Sequence, residues 1–389
     1  MPQSVSISAA RLPDGRLQVV TGGMQTRWKV ATTAGSSWST WGPFPTAGLP
    51  SYATQWFGTG FNEIYQITSV AAVQLMTASG STPNAGRLQV FACDAAASGY
   101  NSSDLGLYVT TKSSEEPNAS WLPWSNPTYP VQESSDEVYS ANQLAVVPLA
   151  DGRLQLWVSV INDDENPPAL YSCVQNAVTW NAPLFSNWTP FALGTSFGVQ
   201  EPFPTALLNP VTASFLNNNF SEPGFQAQIW LPTNPIITSQ RQSASATGEL
   251  TNPLAGWSPW SEFAALAAIP EDAYLIPVQA ASDGQGRTYL WLYSNNSSLA
   301  PGTGPWYYIY SLPDPPYWTT LFDFNVPDAA SAIGLSSQPI YNNVIAAAPL
   351  PSGSLQMFYI DISGQVWTSW QEAVQSNGLP VAWSAWETF

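Results

Sequence analysis

The sequence predicts an all-β chain, a β-propeller of six four-stranded blades forming a single domain over residues 1–389. Three observations predict it. A short strand-like motif occurs six times along the chain. Each copy is accompanied by three further strand-like runs in a fixed order. The remainder is rich in turn formers, with 35 Pro and 26 Gly, and no segment carries a sustained helical stripe of apolar residues.

The first element of each unit is an Ala/Val-rich run, as in "ANQLAVVPLADG" at 141–152 and "NNVIAAAPLPSG" at 342–353. The second is the motif itself: "GRLQ" at 15–18, 86–89 and 152–155, and "GSLQ" at 353–356. The long gap before the last copy leaves room for two degraded ones, "FQAQIW" at 225–230 and "GRTYLW" at 286–291. In "RLQLWV", Leu154 and Leu156 alternate with Gln155 and Trp157, the period of a strand with two distinct faces. The third element is an aromatic-containing run such as "LGLYVTTK" at 105–112, "ALYSCVQ" at 169–175 and "GQVWTSWQ" at 364–371. The fourth is "WSTWGPF" at 38–44, "WLPWSNP" at 121–127, "FSNWTPF" at 185–191, "WSPWSEF" at 257–263, "WTTLFDF" at 318–324 and "WSAWETF" at 383–389. The units are expected at 4–44, 67–127, 138–191, 204–263, 273–324 and 340–389. A seventh blade in the stretch 45–66 is the alternative.

The repeat sorts the 19 tryptophans. Ten lie in the fourth element, where Trp, Phe or Leu all serve, so they read as packing between blades. In a regular strand the i, i+3 spacing would point the two to opposite faces. Trp157, Trp230 and Trp291 share one slot of the second element with Phe91 and Phe358, and are expected in the core. Trp28, Trp56, Trp180, Trp306, Trp367 and Trp370 have no consistent counterpart. Trp28 and Trp370 share a slot of the third element with Val174 and Tyr310. Arg16, Arg87, Arg153 and Arg287 recur beside a turn and read as structural. The acidic run 163–165 reads as a solvated hairpin tip, since no calcium-loop spacing follows it.

Composition narrows the function. Nine basic against 26 acidic residues give a net charge of −17. Without a basic stripe there is no nucleic-acid partner, and anionic surfaces are disfavoured. No apolar run nears the roughly 18 residues of a membrane span, so no membrane insertion is expected. With no recognisable signal peptide, the chain is expected in the cytoplasm or released by another route. Cys93 and Cys173 are expected as buried free thiols.

A "DGRLQ(V/L)" strand, a "G-x-(V/L)-(W/Y)" strand and then "WSxW" together resemble the tectonin-type β-propeller lectins. The style is similar to that of the fucose-binding seven-bladed propeller lectins of insect-associated bacteria. The resemblance spans all six units, and departs from the pattern in its long units, its degraded fourth and fifth copies and its lack of histidine. It implies a non-catalytic, multivalent carbohydrate-binding protein without cofactor or metal. The implied ligands are neutral glycans, with sugars such as fucose or O-methylated residues held between blades. Homo-oligomerisation is compatible with this reading.

From the residues themselves, a sugar site needs an aromatic face against C–H groups and polar neighbours to orient hydroxyls. The candidates are therefore the six surplus tryptophans, with Tyr171, Gln175, Tyr307 and Gln371 as neighbours. Zero histidines exclude Ser–His–Asp, Cys–His and His-metal chemistry. Two further readings remain. One is a carboxylate-pair glycoside hydrolase, for which no acidic pair stands out. The other is a protein-interaction scaffold, for which the chain is unusually poor in charge.

Overall fold

The computed structural model describes residues 6–49, 66–75, 86–95, 107–126, 139–149, 153–162, 169–176, 185–191, 212–215, 227–231, 236–240, 254–266, 275–294, 306–312, 317–324, 326, 344–361, 365–373 and 381–389. They form six antiparallel sheets arranged as a β-propeller. Blade 1 holds β1 (Ile7–Arg11), β2 (Leu17–Thr21), β3 (Gln25–Trp28) and β4 (Gly42–Pro43). Blade 2 holds β5 (Gln66–Gln74), β6 (Leu88–Ala95) and β7 (Leu107–Thr111), with bridges from Val109 to Ser125 and Lys112 to Trp121 in place of a fourth strand. Blade 3 holds β8 (Tyr139–Pro148), β9 (Leu154–Asn162), β10 (Ala169–Val174) and β11 (Thr189–Pro190). Blade 4 holds β12 (Thr212–Phe215), β13 (Ala227–Leu231), β14 (Ile237–Gln240) and β15 (Ser261–Glu262). Blade 5 holds β16 (Leu275–Ser282), β17 (Thr288–Ser294) and β18 (Trp306–Leu312), its outer strand split into β19 (Tyr317–Trp318) and β20 (Phe322–Asp323). Blade 6 holds β21 (Ile345–Pro349), β22 (Leu355–Ile360), β23 (Val366–Trp370) and β24 (Glu387–Thr388).

The first strands β1, β5, β8, β12, β16 and β21 touch in that order, and β21 touches β1, which closes the ring. Because β1 packs directly on β5, no blade stands between the first and second; the ring has six blades, not seven. Of the stretch 45–66, residues 45–49 pack against blade 2: Trp124 Nε1 donates to the Pro45 carbonyl at 2.8 Å.

The hydrophobic core is six slabs, one at each junction between neighbouring blades. Strand alternation fills them from both sides. Leu154, Leu156 and Val158 of β9 face blade 2, while Trp157 faces blade 4. The slot of Trp157 holds Val20, Phe91, Trp230, Trp291 and Phe358 in the other blades, all buried and all facing the next blade. Two residues earlier the recurring Gln is also buried. Gln18, Gln155, Gln228 and Gln356 each donate to a Thr or Ser hydroxyl on the third strand, which in turn donates to a second-strand carbonyl. That relay gives each amide nitrogen and its hydroxyl a partner where water is excluded.

The motif glycine has a backbone reason. Gly15, Gly286 and Gly353 sit in the turn between first and second strands at φ of 87°, 83° and 89°, where a Cβ is strained. The following arginine braces that turn. Arg16 pairs with Asp14 at 2.5 Å and Arg287 with Asp283 at 2.6 Å, in keeping with a structural role. Cys93 and Cys173 are buried thiols outside any disulfide, and burial raises the Cys173 thiol well above its ordinary pKa.

The paired tryptophans of the fourth element do not point to opposite faces, as a regular strand would place them. Both grip one phenylalanine, the last residue of the preceding blade's copy. Phe44 lies 4.5 and 5.6 Å from Trp121 and Trp124, and Phe191 lies 5.4 and 5.8 Å from Trp257 and Trp260. Phe324 lies 5.7 Å from both Trp383 and Trp386, and Phe389 lies 4.5 and 5.4 Å from Trp38 and Trp41. The physical reason is a break in the strand. Trp38 pairs with Lys29 in an isolated bridge, Ser39 then bonds back to Trp28, and pairing resumes only at Gly42. The break turns both rings to the same side.

Candidate functional site

At the junction of blades 6 and 1 a cleft of about 270 Å³ opens between third and fourth strands. Blade 6 contributes Gln356, Thr368, Trp370 and the segment Glu387–Phe389; blade 1 contributes Arg27, Trp38 and the loop 34–37. Trp370 is half-buried, held by its backbone N–H on Ser384 Oγ at 3.1 Å. Gly35 lies beside its ring, where a Cβ would stand 3.9 Å from Cζ2. Arg27 has its guanidinium carbon 4.3 Å from the Phe389 ring centre and 5.3 Å from that of Trp41. Burial lowers its pKa, and no carboxylate among the described residues pairs with it. Gln356 is fully buried; its Nε2 is spent on Thr368, and its Oε1 has no partner among the described residues. Glu387 and Thr388 form the exposed lip.

The loop of this cleft is fixed by a residue type used only twice in the chain. Lys29 and Lys112 occupy the same slot, one past the end of the third strand. Both are fully buried and aim inward at the following loop. Lys29 Nζ donates to the carbonyls of Thr33 (2.6 Å) and Ala34; Lys112 Nζ donates to those of Glu116 (3.0 Å) and Pro117 (2.6 Å). Burial lowers both ammonium groups to a pKa of about 8.

Of the described residues singled out from sequence, the structure brings only Trp370 into this cleft. Trp28 occupies the equivalent slot of blade 1, facing blade 2, and is also half-buried. Trp367 faces blade 5, its Nε1 donating to Asp361 Oδ2 at 2.9 Å. Tyr171 sits half-buried at the edge of the core between blades 2 and 3. Trp306 and Tyr307 are withdrawn as ligand contacts. Both are core residues, with Trp306 wedged between Tyr293 and Tyr359 at 5.2 and 6.3 Å. Gln175 and Gln371 are withdrawn for the same reason: each is buried with its Oε1 accepting a backbone N–H, from Leu154 at 3.3 Å and from Leu355 at 2.8 Å. Trp56 and Trp180 lie outside the described residues. Sequence reasoning passed over Arg27, Gln356, Thr368 and Glu387. Register would have found Arg27, since the corresponding third-strand residues are Thr110, Cys173, Ser239, Ile309 and Ser369.

The other clefts differ chemically. In blade 5 the recurring Gln is Tyr289, its hydroxyl partner is Tyr308, and the Trp370 slot holds Tyr310. These rings are buried and stack, Tyr289 on Tyr310 at 5.2 Å, so blade 5 fills its own cleft. Between blades 3 and 4 the indole of Trp257 donates to Gln155 Oε1 at 3.3 Å. Among the described residues, no group of three or more His, Cys, Asp or Glu could hold a metal ion, and no helix is long and apolar enough to cross a membrane.

No family model matches the chain, and no curated protein sequence does. Among solved structures it is similar to the Hadza microbial sialidase Hz136, at 12% identity and a TM-score of 0.54, over 92% of this chain and 64% of that one. It is similar also to the fucose-specific lectin from Aleuria aurantia, at 12% identity and a TM-score of 0.46, over 99% of this chain and 97% of that one. A third is the NanB sialidase from Streptococcus pneumoniae, at 10% identity and a TM-score of 0.49, over 93% and 66%. At such identities the likeness to Hz136 concerns the fold alone: this chain is a β-propeller.

Proposed function

We propose that this protein is a non-catalytic carbohydrate-binding propeller whose principal site is the cleft between blades 6 and 1. The observation that carries the reading is the set of groups meeting there. Trp370 offers an aromatic face beside an arginine that no carboxylate among the described residues pairs, with the Glu387 carboxylate at the lip. A guanidinium is a donor only and a carboxylate an acceptor only, so together they suit neighbouring hydroxyls of one ring. Their opposite charges cancel, which suits a neutral sugar better than an ionic one. The tectonin-type kinship, and with it a preference for fucose or O-methylated sugars, rests on the sequence motifs. Multivalency needs further clefts, and the one facing Trp28 is the next candidate.

A single shallow site of this kind binds at about millimolar, roughly −4 kcal/mol. Glycan-array binding by the fluorescent protein, followed by titration of the best ligand, tests the reading. Trp370→Ala and Arg27→Gln should each weaken binding about tenfold or more in a protein that still melts in one cooperative step. Arg27→Gln should melt at a somewhat lower temperature, because it loses its contacts with Phe389 and Trp41. A sugar signal untouched by both variants would move the site elsewhere. No sugar-dependent signal would end the lectin reading, and release of reducing sugar from a glycan panel would replace it with hydrolysis.

A further inference from the structure

The six first strands enclose a second cavity, of about 530 Å³, along the axis of the ring. Its wall is made mainly of small residues, among them Ala9, Ala72, Val146, Ala213 and Ala347. One end differs. The last residue of each first strand stands opposite the residue that begins the second strand, a slot that holds Pro148, Ser282 and Pro349 in blades 3, 5 and 6. In the adjacent blades 1 and 2 it holds Arg11 and Gln74. Both are half-buried and both line the cavity. Arg11 Nε and Gln74 Nε2 are buried, and neither has a hydrogen-bond partner among the described residues. Burial lowers the Arg11 pKa. The one carboxylate in the wall among the described residues, Asp283, is already paired with Arg287. The same end is narrowed by its turns. Gly284 N–H donates to the Gly353 carbonyl at 2.9 Å, and a Cβ on Gly15 would fall 2.7 Å from Pro351 Cγ. The Arg11 guanidinium lies beneath this rim, with Nη2 3.7 Å from that Cβ position.

We propose that the axial cavity is a second ligand site, for a small monocarboxylate with an apolar body. The carboxylate would lie at Arg11 and Gln74 and the apolar part along the alanine wall. Two unspent donors in neighbouring strands call for an acceptor, and a single guanidinium balances a single negative charge. A doubly charged phosphate fits less well, because one cation leaves half its charge unmatched in a chain of net charge −17. The volume lies within the range of small-molecule pockets, roughly 300–1,000 Å³.

Calorimetric titration of the full chain with hexanoate tests it, with hexanol and inorganic phosphate as controls. Hexanoate is expected to bind one to one, and hexanol about tenfold or more weaker, the loss of a charge-assisted hydrogen bond. Arg11→Met should remove hexanoate binding and Arg11→Lys should retain part of it. Gln74→Leu should weaken it, and serves alone should Arg11→Met fail to fold. Trp370→Ala should leave it unchanged, separating this site from the blade 6–blade 1 cleft. No heat with hexanoate at millimolar concentration, equal binding of hexanol, preferred binding of phosphate, or indifference to both the Arg11 and the Gln74 substitutions would overturn the proposal.

Discussion

Lys29 ties the shape of the cleft to one buried charge. Its ammonium holds the carbonyls of Thr33 and Ala34, and the loop so fixed carries Gly35 against Trp370. Burial lowers its pKa and that of Lys112 from 10.5 to about 8. Below that value both folded and unfolded chains carry the proton, and these groups add no pH dependence. Between pH 8 and 10.5 the unfolded chain binds protons that the folded one has released, so the pair's contribution to stability rises with pH. The buried hydroxyls of Tyr289, Tyr293 and Tyr308, whose pKa values burial raises, act in the opposite sense at higher pH. Because the chain has two lysines, a sample labelled with ¹³C at lysine Cε shows two side-chain signals. Both should titrate near 8; midpoints near 10.5 would mean that the ammonium groups stand in water. Residue roles were the least legible part of the sequence. Trp306 looked surplus because it has no repeat counterpart, yet blade 5 rebuilt its core from aromatics and left Trp306 inside it. Arg27 was unremarkable as a lone arginine and gains meaning only from the strand register.

At the scale of the element, the clasp of one phenylalanine between two tryptophans is the recurring joint. Phe191 is 1% exposed and touches Trp157, Trp257 and Trp260. Phe191→Ala should cost about 3–5 kcal/mol, read by denaturant unfolding, as for other buried aromatic deletions. A cost below 1 kcal/mol would show that the slab collapses to fill the gap. The junction of blades 2 and 3 is built differently. Phe185 takes the place of the first tryptophan, 6.0 Å from Phe91, and the motif of blade 2 ends in Pro127 where the others end in phenylalanine. Amide exchange in β7 and β10 should therefore be faster than in β22 and β23, whose junctions are clasped. Equal protection would show that the aliphatic slab alone sets local stability. The order and period of the four strands were readable because each face of a blade is buried and leaves an alternating pattern. The shared orientation of the tryptophan pair was not, because it depends on a strand break made by Ser39 and its hydrogen bonds to Trp28.

For the whole molecule, the six-blade architecture was legible because a ring needs every unit to present the same two faces. How the ring closes was legible in outline, since the last motif repeats the first. Phe389 sits between Trp38 and Trp41, and Arg27 lies over its ring. Deleting residues 383–389 should lower the melting temperature of the entire propeller in one cooperative step, measured by calorimetry. A separate early transition confined to blade 6 would show that the ring does not act as one unit. The joint also has a direction: every blade except the second offers a phenylalanine forward to the next, as subunits do in a head-to-tail assembly. Within one molecule the cycle closes after six steps. Blade 1 of a second copy presents the same Trp38, Trp41 and Arg27, so a ring opened at this seam meets an equivalent acceptor on its neighbour. Refolding at high protein concentration then favours exchange of blade 6 between chains. Each cleft in such an exchanged dimer still joins a blade 6 to a blade 1, but the two blades belong to different copies.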